Sequence, residues 1–477
     1  MKKFIALLLA LVMVLSMVAC GEKAPEQTNA PAQQGGENKP AEGENKPAEG
    51  EKPAGVEVVT YYCTIGAYLH ILEEEVAKWN AGEGKEKGVE IQITSEINSG
   101  SEAIELQFQA GNYWDLMDGG SNPVWVAQGW VKDLETIDNE QLKKLIEETR
   151  EYMVPGLSYV GGITTSLPLE VLPIKMAVNL DLFKASGLDP YALKTWDDVV
   201  AAAKKITEDN PGTAWGYGGT NWSAYYRRLH MKAVMNSTEK GWWDPNTETY
   251  SFGQYETVMK ALRQMYVDGS ILGLDDLAID PIRAEFAAGK VGMFPAPAYD
   301  WSVYTNQFPA TCEFTFVDMP SYDGTAPYKG VMINRVNNSI CAPLYDASTP
   351  EHQAAVVEAF NFLNSDYLNG VIYANAGMIP VKKSIIDSTE LVITENVEAW
   401  KAMAQIDGYA PMFVYPDSAI QLEGDNYGTV FSAFVHGDIE WSDEMIADLE
   451  ARYNAAYQAA KEDPDVDTAN YAYEYKH

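Results

Sequence analysis

The residues of this chain that are best suited to chemistry are aromatic rings and the polar side chains near them in the sequence. The chain contains 12 Trp and 28 Tyr residues. A pyranose sugar has an apolar C–H face and a rim of hydroxyl groups, so it pairs well with a flat ring flanked by carboxylates or amides. The candidate ring platforms are Tyr62, Trp222, Tyr299 and Trp301, and the candidate hydrogen-bonding residues are Asp118, Glu170, Asn221 and Asp300.

Each of these residues also has an ordinary structural interpretation, as a core aromatic or a solvated surface group. Glu170 shows the two alternatives most clearly. It lies in an apolar run between Pro168 and Pro173, where a buried carboxylate needs a partner. The alternative is a glutamate at the exposed edge of a strand. Both interpretations stay open at the level of the sequence.

Sequence patterns typical of enzymes are missing from the chain. It has neither Gly-x-Ser-x-Gly nor His-Glu-x-x-His, and its five histidines lack the spacing of metal ligands. The glycine-rich run 216–221 predicts a turn cluster, and it lacks the Lys-Ser/Thr pair of a phosphate loop. We therefore expect no catalytic residue, no metal and no cofactor. Paired carboxylates for glycoside hydrolysis remain an alternative, because 69 acidic residues provide many chance pairs.

The first residues predict an exported protein. Two lysines precede an apolar run that ends at Val18 and is too short to span a bilayer comfortably, so we predict a signal peptide over residues 1–19. The tetrapeptide from Met17 to Cys20 resembles a bacterial lipobox. That resemblance implies that Cys20 carries a diacylglyceryl group, which anchors the protein on the extracellular face of the cell membrane. The alternative is an ordinary secretory signal with a chance cysteine.

Residues 20–55 predict a disordered tether that follows the lipidated cysteine. The segment is rich in Pro, Ala, Glu, Gly, Asn and Lys, contains a repeated heptad from Gly36, and has almost no apolar residue beyond alanine. Such a composition cannot bury enough surface to offset the entropy of ordering.

Length, charge and cysteine count set limits on the folded part. A chain of 477 residues exceeds one ordinary core, so two lobes of α/β type are expected. The net charge is −35 without clustered Lys or Arg, which excludes nucleic acid as a partner. Besides Cys20 the chain has Cys63, Cys312 and Cys341, which allow at most one disulfide, and buried free thiols are favoured.

The folded part begins with alternating strands and helices. Residues 56–62 predict a strand, 68–79 a helix, 90–94 a strand and 102–110 a helix, which together favour a parallel sheet. Asp118 follows the next short strand. Because ligands of open α/β sheets bind beyond the carboxyl ends of the strands, Asp118 is a candidate binding residue.

The stretch from Leu167 to Lys205 contains a proline-bracketed extended run, a short strand at 176–179, a helix ending in glycine and a second helix starting at Thr195. Its order and spacing resemble the crossing segment of the family 1 extracellular solute-binding proteins. The matching residues are Pro173, Asn179, Asp181, Phe183, Gly187, Leu188, Thr195 and Trp196. Residues 289–294 and 375–381 resemble two further elements of the family, and Trp114 departs from it by replacing a proline.

The resemblance implies a two-lobed, type II periplasmic-binding-protein-like α/β fold with three inter-lobe crossings and a ligand cleft between the lobes. It implies a first lobe of residues 56–168 plus 328–378 and a second lobe of 169–327 plus 379–477. Trp301 occupies the position at which the family has a tryptophan facing the sugar.

The implied function is that of a substrate-binding lipoprotein of an ABC importer, a monomer that delivers a sugar or oligosaccharide to membrane permease subunits. Three alternatives remain: a binding protein for another solute such as a polyamine, a secreted glycoside-acting enzyme, and a structural lipoprotein without a small ligand.

Overall fold

The computed structural model describes residues 55–96, 101–118, 122–220, 241–274, 277–326, 328–336, 338–463 and 466–474. All of them belong to one compact unit, residues 50–477. Over these ranges, every helix is too short or too polar to cross a membrane. Cys63, Cys312 and Cys341 are free thiols, as expected, and burial raises the pKa of Cys63 and Cys341 to about 12 and that of Cys312 to about 11.

The strands are mostly short, and one long strand, β6, stands out among them. In chain order they are β1 (Glu57–Cys63), β2 (Val89–Ser95), β3 (Leu116–Met117), β4 (Tyr159–Val160), β5 (Ile163–Thr164), β6 (Pro168–Asn179), β7 (Trp215–Gly218), β8 (Trp243–Asp244), β9 (Thr249–Tyr250), β10 (Ile271–Leu272), β11 (Val291–Pro297), β12 (Phe314–Val317), β13 (Gly330–Val336), β14 (Ser339–Ile340) and β15 (Tyr409–Pro411).

The α-helices of the described residues alternate with the strands in the first part of the chain and mostly follow one another after residue 342. They are α1 (Leu69–Ala81), α2 (Glu83–Lys87), α3 (Ser101–Gln109), α4 (Pro123–Ala127), α5 (Glu140–Thr149), α6 (Leu180–Ala185), α7 (Trp196–Asp209), α8 (Glu256–Val267), α9 (Ile279–Ala287), α10 (Asp300–Ser302), α11 (Ala342–Ala347), α12 (Pro350–Leu363), α13 (Asp366–Ala374), α14 (Lys383–Ser388), α15 (Val397–Ala404), α16 (Tyr427–His436) and α17 (Asp443–Ala460). The predicted start of α7 at Thr195 is confirmed: Thr195 is the N-cap, and it forms a reciprocal capping box with Asp198.

The first sheet has the strand order β14-β3-β1-β2. Strand β1 pairs in parallel with both β2 and β3, which confirms the parallel arrangement predicted from the alternation of strands and helices. Strand β14 joins the edge in the antiparallel direction. Because side chains alternate along β1, Val59, Tyr61 and Cys63 face one hydrophobic core while Tyr62 faces a smaller cluster on the opposite side.

The second sheet has the order β10-β7-β11-β6-β13-β15, and β12 also pairs with β6. Strand β6 is buried along its whole length. Its first half pairs with β13 and its second half with β11 and β12, all in the antiparallel direction. The extended run at 168–173 and the strand at 176–179 are therefore one continuous strand.

The hydrophobic core is divided, and the chain passes between its two large parts. Leu169 packs in the core of the first sheet, whereas Val171, two residues later on β6, packs in the core of the second. The chain passes from one core to the other again between Val331 and Ile340, and a third time between Met378 and Ile379. The segment around Ile379 pairs with β6 at Glu170, so these passages meet on neighbouring segments.

The turn cluster predicted at 216–221 is wrong for its first residues, because Trp215–Gly218 form β7. The glycines serve close packing here. A Cβ atom on Gly216 would lie 2.1 Å from the carbonyl oxygen of Ala203 in α7, so only glycine lets this strand approach the helix.

Candidate ligand-binding site

The candidate site is built around an ion pair where β6 meets β13. Glu170 and Arg335 are opposite each other across the two strands, and Arg335 Nη1 lies 3.2 Å from Glu170 Oε2. Glu170 is 5% exposed, whereas 40% of the Arg335 side chain is exposed. The predicted carboxylate in the apolar run is therefore buried and paired, and its cation reaches solvent.

Residues from both sheets lie within electrostatic range of this pair. The pKa of Arg335 is raised by Glu170 first, and Tyr68, Asp118 and Tyr299 add to the effect. Tyr68 and Asp118 come from the side of the first sheet, and Tyr299 follows β11 of the second sheet. Tyr68 is buried, and its hydroxyl has no hydrogen-bond partner among the described residues. Three of the predicted residues, Asp118, Glu170 and Tyr299, thus lie within electrostatic range of the Arg335 guanidinium.

Asp118 fixes the loop after β1. Its Oδ1 accepts a hydrogen bond from the Tyr61 hydroxyl at 2.7 Å, and its Oδ2 accepts one from the backbone N–H of Thr64 at 2.7 Å. Burial raises the pKa of Asp118, and these hydrogen bonds oppose the rise. The carboxylate therefore organises this wall of the site from a position that is 5% exposed.

Tyr62 points away from Asp118. Its ring packs on Trp114 with centroids 4.3 Å apart, and its hydroxyl donates to Glu96. The neighbouring Tyr61 takes the position beside Asp118, because successive side chains of a strand face opposite sides of the sheet. Sequence reasoning named Tyr62 and missed Tyr61, although period-two alternation required that only one of them face Asp118.

Among the aromatic candidates that the structure describes, Tyr299 is the one that reaches solvent, since it is 39% exposed. The guanidinium of Arg283, from α9, lies 5.6 Å from the ring centroid, a cation–π distance. Behind it, Asp300 is fully buried and accepts a hydrogen bond from Arg283 Nη2 at 2.6 Å. Burial raises the pKa of Asp300 to about 7, and Arg283 opposes the rise. Asp300 thus holds the cation that supports Tyr299.

Trp301 lies in the core of the second sheet and is 6% exposed. Its indole N–H donates to the backbone carbonyl of Asn396 at 3.2 Å, and its ring meets Trp400 edge-on with centroids 5.5 Å apart. In this arrangement the residue supports the segment that carries Tyr299. A direct contact between Trp301 and a ligand stays a prediction.

The remaining predicted residues, Asn221, Trp222 and Cys20, lie outside the described residues. Over the described ranges, His, Cys, Asp and Glu side chains form no group of three suited to a metal ion. His352 is not part of any motif found in the sequence. Its Nδ1 lies 2.9 Å from Glu57 Oε2, and its Nε2 lies 3.0 Å from Asp115 Oδ1.

Sequence reasoning missed Tyr68, Arg283 and Arg335. Arg335 is the partner of Glu170 through strand pairing across 165 residues, and no local pattern reveals such a pairing. A partial signal existed for Arg335, because a buried carboxylate at Glu170 required a cation somewhere in the chain.

The model of the bacterial extracellular solute-binding protein family matches residues 69–366, more than half of the chain. The chain belongs to this family. The match spans β6, Arg335 and the segment with Tyr299. No curated protein sequence matches this solute-binding protein.

Several solved structures share its fold. The Lmo0181 ABC substrate-binding protein of Listeria monocytogenes, in complex with cycloalternan, is 15% identical, with a TM-score of 0.61 over 84% of this chain and 99% of that chain. Maltose-bound MalE3 of T. maritima is 16% identical, with a TM-score of 0.59 over 85% and 99%. UgpB of Mycobacterium tuberculosis, in complex with glycerophosphocholine, is 12% identical, with a TM-score of 0.65 over 85% and 99%.

These similarities establish the fold. The solute-binding protein has the two-lobed α/β fold of periplasmic binding proteins, as expected from the crossing segment. The family and the three structures are binding proteins by description, and two different kinds of ligand are named among them.

Proposed function

We propose that this protein binds a sugar or oligosaccharide between its lobes and delivers it to the permease of an ABC importer. The observation that carries the proposal is the partly exposed ring of Tyr299 within electrostatic range of Arg335, the cation that is paired with Glu170. An aromatic face suits the apolar side of a pyranose, and the guanidinium and carboxylate suit its hydroxyl groups. The maltose and cycloalternan of two structural relatives support a carbohydrate.

In this proposal the first lobe is residues 56–168 plus 328–378, and the second is 169–327 plus 379–477. The change of core between Leu169 and Val171 supports the first boundary. Ligand binding closes the two lobes through the crossing segments. It does so only to the extent that the ligand has a higher affinity for the closed state.

The protein acts as a monomeric binding protein, not as an enzyme, and needs no cofactor. Arg335 argues against a polyamine, because a cationic ligand would lie next to a fixed positive charge. Binding residues in the proposal are Tyr299, Glu170 and Arg335, with Asn221, Trp222 and Trp301 as further candidates, and Tyr62, Asp118 and Asp300 as supporting residues.

Tyr299→Ala should weaken sugar binding about tenfold, because a stacked aromatic ring contributes about 0.5–1.5 kcal/mol beyond the area that it buries. The full chain is screened first by thermal shift against mono- and oligosaccharides, a polyamine panel and glycerophosphocholine. The affinity of the best ligand is then measured by isothermal titration for both proteins.

Tyr159→Ala is the matched control, since Tyr159 is 44% exposed and lies on β4, which forms a separate two-stranded sheet with β5. It should bind the ligand like the unmodified protein. Stabilisation by polyamines alone would overturn the carbohydrate assignment, and equal affinities for Tyr299→Ala and the unmodified protein would overturn the site.

A lipid anchor at Cys20 is also part of the proposal, supported by the lipobox-like tetrapeptide from Met17 to Cys20. Expression in a bacterium fed radiolabelled palmitate should label the unmodified protein and leave Cys20→Ser unlabelled. Equal labelling of both proteins would assign the lipid to another residue, and unlabelled protein in both cases would support an ordinary secretory signal.

A further inference from the structure

A pocket lies on the surface of the first lobe, among helices α1, α2, α5, α12 and α13. It has a volume of about 330 Å³ and is lined by residues that include Glu75, Trp79, Lys87, Phe362 and Tyr367. This volume falls within the range of small-molecule sites. We call it the α1–α13 pocket, after the helices that carry Glu75 and Tyr367.

Tyr367 forms one wall of the α1–α13 pocket, and it is fixed although it is 62% exposed. Its hydroxyl donates to Glu75 Oε2 at 2.8 Å. Glu75 is 5% exposed, and its other oxygen accepts from Lys78 at 2.8 Å. Holding an exposed aromatic ring costs conformational entropy. A ring restrained by a buried carboxylate is therefore pre-organised for a contact outside the protein.

The pocket is lined by aromatic and by charged side chains. Trp79, which is 6% exposed, and Phe362 stack with their ring centroids 5.0 Å apart. Lys87 lies 2.5 Å from Glu358 and 2.9 Å from Glu83. Aromatic surface beside paired donors and acceptors suits the apolar face and the hydroxyl groups of a sugar.

The charges that line the pocket further restrict the class of ligand that it can bind. Three carboxylates and two ammonium groups line the pocket, for a net charge of −1, and both lysines are paired. An anion would be repelled by the net negative charge, and a polycation would compete with the two lysines for their carboxylates. An uncharged polyhydroxylated ligand can add hydrogen bonds without displacing either lysine.

The α1–α13 pocket is separate from the site at Arg335. Tyr68 caps the start of α1 near Arg335, whereas Trp79 lies 11 residues further along the chain. At a rise of 1.5 Å per residue, these two positions are about 16 Å apart along the helix.

We propose that the α1–α13 pocket is a second carbohydrate site, which binds a glycan chain on the surface of the first lobe. This goes beyond the proposed import function and does not depend on what binds at Arg335. The bound chain would be held close to the transport site on the same molecule.

Saturation-transfer NMR tests this proposal on the full chain, in a detergent without a sugar headgroup. The probes are maltoheptaose, cellohexaose and xylohexaose. All measurements use the Tyr299→Ala background, which weakens the transport site. Tyr367→Ala should weaken binding of at least one glycan tenfold or more, and Tyr367→Phe should retain part of the binding because it keeps the ring.

Tyr191→Ala is the matched control, because Tyr191 is also 62% exposed and is not part of the pocket. It should leave glycan binding unchanged. No saturable binding of any glycan would overturn the proposal, as would equal affinities for Tyr367→Ala and Tyr191→Ala. Neither result would bear on the transport site, which is tested by Tyr299→Ala against the unmodified protein.

Discussion

Asp300→Ala should lower the free energy of unfolding by about 3–5 kcal/mol, because it leaves the Arg283 guanidinium buried beside an empty space. Asp300 is fully buried, and its Oδ1 lies 2.6 Å from Arg283 Nη2. The loss should appear in urea denaturation as a lower midpoint with an unchanged slope.

Asp280→Ala is the control on the other side of the same guanidinium. Its carboxylate lies 3.2 Å from Arg283 Nη1, but the side chain is 51% exposed, so the change should cost less than about 1 kcal/mol. Equal losses for Asp280→Ala and Asp300→Ala would contradict the assigned role of burial. A double replacement by apolar residues, Arg283→Met with Asp300→Leu, should recover part of the loss.

Asp300 also gives the stability a pH dependence. Its pKa in the folded protein is about 7, raised mainly by burial, whereas an unfolded aspartate titrates near 4. The folded state therefore binds the proton more tightly, so the contribution of Asp300 is complete below about pH 4 and is lost as the pH rises through 7. Asp300→Asn should flatten this part of the profile. Among the described residues, other charged or titratable groups that influence Asp300 or its neighbour Tyr304 include Asp280, Arg283 and Cys312.

Arg335→Met should weaken ligand binding about 30-fold or more, the largest loss expected at the proposed transport site. A guanidinium that donates to a ligand hydroxyl forms a charge-assisted hydrogen bond, which is worth about 1.5–3 kcal/mol. The change also removes the cation that lowers the pKa of the buried Glu170 carboxyl. Isothermal titration with the ligand found in the thermal-shift screen measures the affinity.

Two further variants separate contact from charge. Arg335→Lys keeps the positive charge without the planar fork and should lose less affinity than Arg335→Met. Glu170→Gln keeps the shape of the partner and tests whether its charge is needed. If Arg335→Met is less stable but binds the ligand with unchanged affinity, Arg335 is a structural residue of the crossing and not a ligand contact.

The local features of the first sheet could be predicted from the sequence. The spacing of apolar residues and the turn residues between them predicted β1, α1 and β2. The rule that ligands of open α/β sheets bind beyond the carboxyl ends of the strands pointed to Asp118. What the sequence did not reveal is which neighbours these residues have across long separations. The Trp301 indole bonds to the carbonyl of Asn396, 95 positions away, and Glu170 pairs with Arg335 across 165. Such contacts depend on the register of strands and on packed helices.

The turn that was wrongly predicted at Gly216 also reflects a tertiary contact that the sequence does not show. A glycine-rich run favours turns when only local propensity is considered. In the folded protein the missing Cβ is used for close contact between β7 and α7, which is a tertiary requirement. The same limit applies to Tyr367, whose exposed ring is restrained by a carboxylate 292 residues away.

The burial of Cys63 and Cys341 affects how this extracellular protein responds to oxidants. With a pKa of about 12, Cys63 and Cys341 are ionised in only about one molecule in 10⁵ at neutral pH. Oxidants and disulfide-exchange partners attack through the thiolate, so both cysteines are chemically silent toward them. We therefore expect Cys63 and Cys341 to stay as thiols when the redox potential of the surroundings changes.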